Sequence, residues 1–294
     1  MIVSNIIGGL GNQMFQYACG YSLAKKLESE LCLTIDLFEN YKLHNGYQLQ
    51  NIFGINNRSL TNSEIYNFLG LRGNKNFRRV LSKNIARNLR PMKWIQEESM
   101  RYFDQIETIS SSSYLHGYWQ SEKYFKNYAD DIKEIFSFEN IDLSKKDKEI
   151  IKSMKESPSV SLHIRRGDYT NKKNQDIFNV LDIDYYLNAL NNIKRNYPEF
   201  ITYIFTDDSE WVSDNIIKEL NESILISHNK GIDSFKDMVL MSNADHNIIA
   251  NSSFSWWGAW LNNNPEKIVI APKIWFIDDI SKSLDIVPES WHLI

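Results

Sequence analysis

Two adjacent arginines in a short loop carry the clearest chemistry in this sequence. Residues 163–169 read HIRRGDY and follow an apolar run, residues 159–162, that begins after Pro158. Such a run predicts a buried strand, and ligands of open α/β sheets bind beyond the carboxyl ends of strands. Arg165 and Arg166 offer planar forks of donors that suit phosphate oxygens and stay charged. A surface turn with solvated arginines is the alternative, but the strand before the arginines and Gly167-Asp168 after them favour an anion site.

Carboxylates follow other predicted strands. Asp207 and Asp208 come directly after residues 203–205, where they could accept hydrogen bonds from ribose hydroxyls or cap the predicted helix 209–220. Asp182 and Asp184 form a DxD string, a pattern that can bind a metal with a nucleotide. They precede a helical pattern at 185–197, so we predict that they cap this helix.

Two further segments could face a ligand. Residues 251–261, NSSFSWWGAWL, place the hydroxyls of Ser252 and Ser253 at a predicted helix start, where free N–H groups and the helix dipole suit a phosphate. Residues 8–13, GGLGNQ, predict a glycine-rich turn between a strand and a helix. They form either a structural turn or a polar ligand contact, because a lone GxG is a weak signal.

Composition excludes several classes of function. The chain has 294 residues and a net charge of −4, which does not favour a nucleic-acid partner. No run of about 20 apolar residues predicts a membrane span, and no basic segment at the start predicts a secretory signal. We therefore expect a cytoplasmic protein. Cys19 and Cys32 are predicted to be small core residues in a reducing compartment, since no Cys/His spacing suits zinc.

Strands and helices alternate in both halves of the chain. This pattern predicts an α/β fold with two parallel-sheet domains and a site in the cleft between them. We place the domains at residues 1–156 and 157–294, linked near Ser157-Pro158-Ser159.

One stretch is strongly basic. Arg72 to Lys93 holds eight basic residues and no acid, with Phe77, Val80, Leu81 and Ile85 near helical spacing. This pattern predicts a basic amphipathic helix. Its apolar stripe either packs on its own domain or docks on an anionic membrane through residues such as Arg78, Arg79 and Lys83, reversibly and with sensitivity to salt.

Five blocks of the sequence resemble the α-1,2-fucosyltransferases, in the order that family has them. They lie near residues 8–18, 117–125, 163–169, 205–208 and 245–261, and HxRRGDY is the most specific. The resemblance implies a GT-B fold with two Rossmann-like domains. It also implies transfer of L-fucose from GDP-fucose to the 2-hydroxyl of a galactoside, with inversion, no bound metal and no further cofactor. The chain resembles a bacterial member, whose acceptor is often a lipid-linked glycan such as O-antigen at the inner membrane face.

The resemblance also implies roles for individual residues. Arg165 would hold the β-phosphate, with Ser253 and its neighbours Ser252 and Phe254 beside it. His163 and Asp237 would recognise guanine, Asp207 and Asp208 would bind the ribose region, and Asp168 belongs to the catalytic motif without a defined role. Asn12, Gln13 and Gln120 would lie near the acceptor. No residue is marked as general base. Two alternatives stay open: a transferase with another deoxysugar or a protein acceptor, and a non-catalytic nucleotide- or glycan-binding module.

Overall fold

The computed structural model describes residues 1–40, 44–170, 177–220, 222–277 and 285–294. Within these ranges the chain forms two compact units, residues 1–137 and 138–294. No helix in the described ranges is long and apolar enough to cross a bilayer.

The first unit is built on a parallel sheet with the strand order β2-β1-β4-β3. Its strands are β1 (Ile2–Asn5), β2 (Leu31–Thr34), β3 (Trp94–Gln96) and β4 (Ser113–His116). Its α-helices are α1 (Leu10–Lys26), α2 (Leu49–Phe53), α3 (Asn62–Leu69), α4 (Lys75–Leu81) and α5 (Ala129–Ile135). Because the strands are parallel, the loops that follow them meet at one edge of the sheet.

The second unit is built on a parallel sheet with the order β10-β9-β8-β5-β6-β7. Its strands are β5 (Ser159–Ile164), β6 (Ile201–Thr206), β7 (Ser223–Ile226), β8 (His246–Ile248), β9 (Val269–Ala271) and β10 (His292–Leu293). Its α-helices are α6 (Lys145–Glu156), α7 (Ile183–Lys194), α8 (Ser209–Asn215), α9 (Lys236–Ser242) and α10 (Ser253–Trp260). Every residue of β5 is buried, as expected for a central strand covered on both faces.

These sheets confirm the predicted α/β fold class with two parallel-sheet domains. The second unit begins at Phe138, ahead of the predicted start at residue 157. The reason lies in α6, whose Ile150 and Met154 join a buried cluster with Tyr203 and Phe205 of β6.

Both cysteines are buried and unpaired, as predicted for small core residues. Burial raises the pKa of the Cys19 thiol well above its usual value, which keeps it protonated and unreactive.

Several predicted elements differ from the structure. Helix α1 begins at Leu10 after an extended Gly9, so most of the predicted glycine-rich turn is the first turn of the helix. The sequence also predicts a helix that is capped by Ser121 and runs through Phe136, but this segment is a pair of 3₁₀ turns followed by α5. The predicted basic helix is interrupted: α4 ends at Leu81 and a 3₁₀ turn covers Asn84–Leu89. Strands β3 and β10 were not predicted, because runs of three and two residues are too short to show a periodicity.

Candidate active site

The order in which strands are added to the second sheet reverses at its centre. Strands β5, β6 and β7 follow one another towards one side, while β8, β9 and β10 lie on the other. Ligands of open parallel sheets bind at this switch point, beyond the carboxyl ends of the two central strands. Here those ends lead to the arginine loop after β5 and to α10 after β8. A bond between the two segments crosses the switch point, since the hydroxyl of Tyr169 donates to the carbonyl of Asn251 at 3.0 Å.

Asp207, at the end of β6, braces the arginine loop. Its Oδ1 accepts hydrogen bonds from the backbone N–H groups of Arg166 at 2.9 Å and Gly167 at 3.1 Å. Its Oδ2 lies 2.8 Å from Nη1 of Arg165. A Cβ at position 167 would come within 2.6 Å of Oδ2, so this approach requires glycine. The loop is therefore shaped before any ligand arrives.

The two arginines occupy different environments. The guanidinium of Arg166 lies 3.9 Å from the ring centroid of Trp211 and pairs through Nε with Oδ2 of Asp208 at 3.4 Å. Asp208 also caps α8 by accepting from the N–H of Trp211 at 3.1 Å, which confirms the capping alternative for this residue. Arg165, with about a quarter of its side chain exposed, is the arginine better placed for a ligand.

His163 is buried in β5 near the start of α10. Its Nδ1 has no hydrogen-bond partner among the described residues, and its ring lies 6.1 Å from that of the half-buried Phe254. Burial lowers the pKa of His163, so the imidazole is neutral at physiological pH. Ser252 caps α10, accepting a 3.4 Å bond from the N–H of Phe254. The helix therefore begins at Ser253, with its dipole directed at the switch point.

Asp237 belongs to a polar network at the β7 side of the sheet. Nδ2 of Asn229 donates to Oδ1 of Asp237 at 2.9 Å and to Oδ1 of Asp147 at 3.0 Å. The same Asp147 oxygen lies 2.8 Å from Nε2 of His228. Burial, reinforced by the nearby charge of Asp147, raises the pKa of Asp237 to about 7. This carboxyl group therefore changes its protonation state near neutral pH.

Polar side chains also gather at the carboxyl edge of the first sheet. Nε2 of Gln120 donates to Oδ1 of Asn12 at 2.6 Å, which brings together two residues predicted to lie near the acceptor. Gln13 is different, because it is fully buried and both ends of its amide bond the backbone. It donates to the carbonyls of Gly8 and Gly46 and accepts from the N–H of Gln48. Gln13 is a structural residue, which corrects its predicted role as an acceptor contact.

The sequence did not single out Glu97, the residue that follows β3. Its Oε2 accepts hydrogen bonds from the N–H groups of Tyr118 at 2.7 Å and Trp119 at 3.0 Å, and no described residue bonds its Oε1. A Cβ at Gly117 would come within 2.6 Å of the Glu97 Cβ. Burial raises the pKa of Glu97 to about 7, although the two N–H groups oppose the shift. A carboxylate one residue beyond a strand would have been the signal, had the three-residue strand been recognised.

The DxD string forms a helix cap in the structure. Oδ1 of Asp182 accepts from the N–H of Tyr185 at 2.9 Å at the start of α7, which confirms the prediction of a helix cap. In the described ranges, no cluster of three or more His, Cys, Asp or Glu side chains is arranged to hold a metal ion. The side chain of Asp168 lies outside the described part of the chain.

The sequence is similar to a family model and to several known proteins. The family model described as glycosyl transferase family 11 matches residues 1–294. An alpha-1,2-colitosyltransferase from Escherichia coli is 36% identical over 294 residues, which cover 99% of this chain and 98% of that protein. The O-antigen biosynthesis glycosyltransferase WbnK from Escherichia coli is 32% identical over 302 residues, covering 98% of each chain. A galactoside alpha-(1,2)-fucosyltransferase 1 from Ateles belzebuth is 26% identical over 103 residues, covering 35% of this chain and 28% of that protein.

Proposed function

This chain belongs to glycosyl transferase family 11, and from that premise we propose that it transfers L-fucose from GDP-fucose to the 2-hydroxyl of a galactose-containing acceptor. The reaction inverts the configuration at the sugar carbon and uses no bound metal. One observation carries the proposal: Arg165, held by Asp207 at 2.8 Å, lies at the switch point of the second sheet, in the position that a phosphate-binding group requires.

On the donor side, the reaction separates a sugar from a diphosphate. Negative charge grows on the β-phosphate as the glycosidic bond breaks, and Arg165 stabilises this charge through paired N–H donors. The start of α10 at Ser253 adds free N–H groups and the positive end of the helix dipole. Asp237 accepts from guanine N1–H and N2–H when it is ionised, and His163, with its unpaired buried Nδ1, supplies a further contact.

On the acceptor side, a general base must take the proton of the attacking hydroxyl. We assign this role to Glu97. Its pKa of about 7 suits a base at neutral pH, because it is ionised yet more basic than an ordinary carboxylate. One oxygen is fixed by two backbone N–H groups, which leaves Oε1 to receive the proton. Asn12 and Gln120 lie at the same sheet edge and orient the sugar.

The name of one relative favours a second donor. The alpha-1,2-colitosyltransferase is 36% identical to this chain, against 32% for WbnK. Colitose is fucose without its 3-hydroxyl. A site that hydrogen-bonds a substrate hydroxyl rejects the analogue lacking it by about 10⁴-fold, whereas an apolar pocket rejects an added hydroxyl by only about 10²-fold. The size of the preference between GDP-fucose and GDP-colitose therefore indicates whether the site hydrogen-bonds the 3-hydroxyl of the sugar.

The test is a comparison of kcat/KM for GDP-fucose and GDP-colitose, with a panel of β-galactosides as acceptors. Preference for GDP-fucose supports the proposal, and preference for GDP-colitose replaces the donor but keeps the reaction class. If GDP binds but neither donor is transferred to a galactoside nor hydrolysed, the protein is a nucleotide-binding module and the proposal fails.

A further inference from the structure

The first unit exposes six large apolar side chains between residues 71 and 92. Ile85 is 94% exposed and Met92 is 99% exposed, whereas side chains of this kind are mostly buried in soluble proteins. They belong to a set of six that we call the docking face: Leu71, Phe77, Val80, Ile85, Leu89 and Met92. Exposed apolar side chains that recur along one short segment favour an interaction site.

The opposite side of the same segment is firmly attached to the unit. Leu81 and Ala86 are buried, and the guanidinium of Arg78 is inserted between Asp36 and the hydroxyl of Tyr114, 2.5 Å from Oδ2 of Asp36. Arg78 is thus a core residue, which corrects its predicted place among the docking cations. Because the apolar stripe predicted from the sequence included both Leu81 and Ile85, it divides between the core and the surface.

The charges separate in the same way. Lys75 pairs with Glu39, and both Arg87 and Arg90 pair with Glu98. Together with Arg78, which pairs with Asp36, half of the eight cations between residues 72 and 93 therefore form ion pairs, and they share three carboxylates. Arg72, Arg79 and Lys83 are exposed and form no ion pair with a described residue. Along the chain, these three cations alternate with residues of the docking face.

We infer that the docking face binds the surface of an anionic lipid bilayer. Such a surface offers anionic headgroups and, beneath them, the boundary with the acyl chains. The exposed cations would meet the headgroups, and the protruding apolar side chains would enter that boundary. The net charge of the whole chain is −4, so attraction depends on this one face and fades within about a Debye length. Binding is therefore reversible and depends on salt.

The position of the face suits an acceptor that is carried by a membrane, and this part rests on the proposed function. Arg78 ties α4 to Asp36, two residues after β2 ends. Nε2 of Gln96, the last residue of β3, donates to the carbonyl of Ser82 at 2.9 Å. Both bonds hold the segment at the carboxyl edge of the first sheet, where Glu97 and Gln120 lie.

The test is co-sedimentation of the full chain with vesicles made of equal parts phosphatidylglycerol and phosphatidylcholine, or of phosphatidylcholine alone. Salt is raised from about 0.1 M to about 1 M, which shortens the screening length from about 10 Å to about 3 Å. The variants are the triple change Arg72→Gln, Arg79→Gln, Lys83→Gln and the double change Ile85→Ser, Met92→Ser. A matched control, Lys146→Gln, Lys148→Gln, Lys155→Gln, removes three exposed cations from α6.

We expect binding only to the anionic vesicles, and its loss at high salt. The triple variant should bind about 100-fold more weakly, since each basic residue contributes about fivefold to binding near such a surface. The double variant should also bind the vesicles more weakly, and the control should bind like the wild type. Absence of wild-type binding at low salt, or equal loss in the control, overturns the inference. So does a wild-type dimer in sedimentation that the double variant converts to a monomer, because the face would then join copies of this chain. Transfer to a soluble galactoside is measured in parallel, so failure of docking is distinguished from failure of the proposed function.

Discussion

Replacing Glu97 by glutamine separates its proposed catalytic role from its structural one. Glutamine has nearly the same shape, and its amide oxygen can still accept the N–H groups of Tyr118 and Trp119 that Oε2 now accepts. The turn after β4 should therefore be retained. What the variant loses is the ability to take a proton, which typically costs 10²- to 10⁴-fold in rate. We expect kcat to fall by about that factor while the KM for the acceptor changes little.

The raised pKa of Glu97 also predicts an effect on stability. The group has a pKa of about 7 in the folded protein against an ordinary value of 4.5. Between these values the folded state holds a proton that the unfolded state has released, so stability falls as pH rises through this window. The difference between those two pKa values corresponds to about 3 kcal/mol. Glutamine does not ionise, so it avoids the free-energy cost of a buried charge. The variant should therefore be more stable than wild type at about pH 8, and no more stable at about pH 4.

Two assays check this reasoning. The first is the pH profile of kcat/KM, which should rise with one proton released near pH 7 in the wild type. The second is urea unfolding of both proteins at the two pH values. The neighbouring change Glu98→Gln is the control, because it removes the same charge from an exposed acid that pairs with Arg87 and Arg90. Unchanged turnover in the Glu97 variant would place the base elsewhere, and a loss of both activity and stability at pH 8 would make Glu97 a structural support only.

Three further predictions concern the donor side. Arg165→Lys keeps the charge but not the fork, so we expect a loss of about 3 kcal/mol of transition-state stabilisation; near-full turnover of this variant would remove Arg165 from the mechanism. Asp237→Asn should weaken GDP binding in calorimetry. The wild-type affinity should fall as pH drops below about 7, because a protonated carboxyl cannot accept both guanine N–H groups. An affinity for GDP that does not depend on pH would contradict this. Activity should survive EDTA, and abolition with rescue by manganese would return Asp182 and Asp184 to the site.

The sequence predicted the sheets better than the helices that connect them. Strands such as β5 and β6 are six-residue runs that are buried almost throughout, so their apolar character is visible locally. Helix α1 and the segment after Gln120 were misjudged, because their bounds depend on tertiary contacts. The amide of Gln13, for example, holds Gly46 and Gln48 against the start of α1, and no local pattern reveals this.

For the candidate site, sequence reasoning located the arginine loop but not the partners of its side chains. The parallel register of β5 and β6 pairs Ile164 with Thr206. This register is what brings Asp207 to Arg165 and Asp208 to Arg166. Glu97 was missed because its significance lies in burial and in two backbone donors from β4's loop. Burial and partners of this kind belong to the assembled sheet, so they cannot be deduced from residue type and spacing.

The pair formed by Arg165 and Asp207 has a consequence for turnover. In the structure the carboxylate serves as an internal counter-ion for the arginine, so a phosphate that binds Arg165 competes with this ion pair. For the proposed donor, the affinity would then be the difference between two ion pairs, and the same carboxylate could reclaim the arginine when the product departs. An exchange of this kind trades tight binding for fast release, which would suit the proposed reaction because its product keeps the diphosphate by which the donor is held.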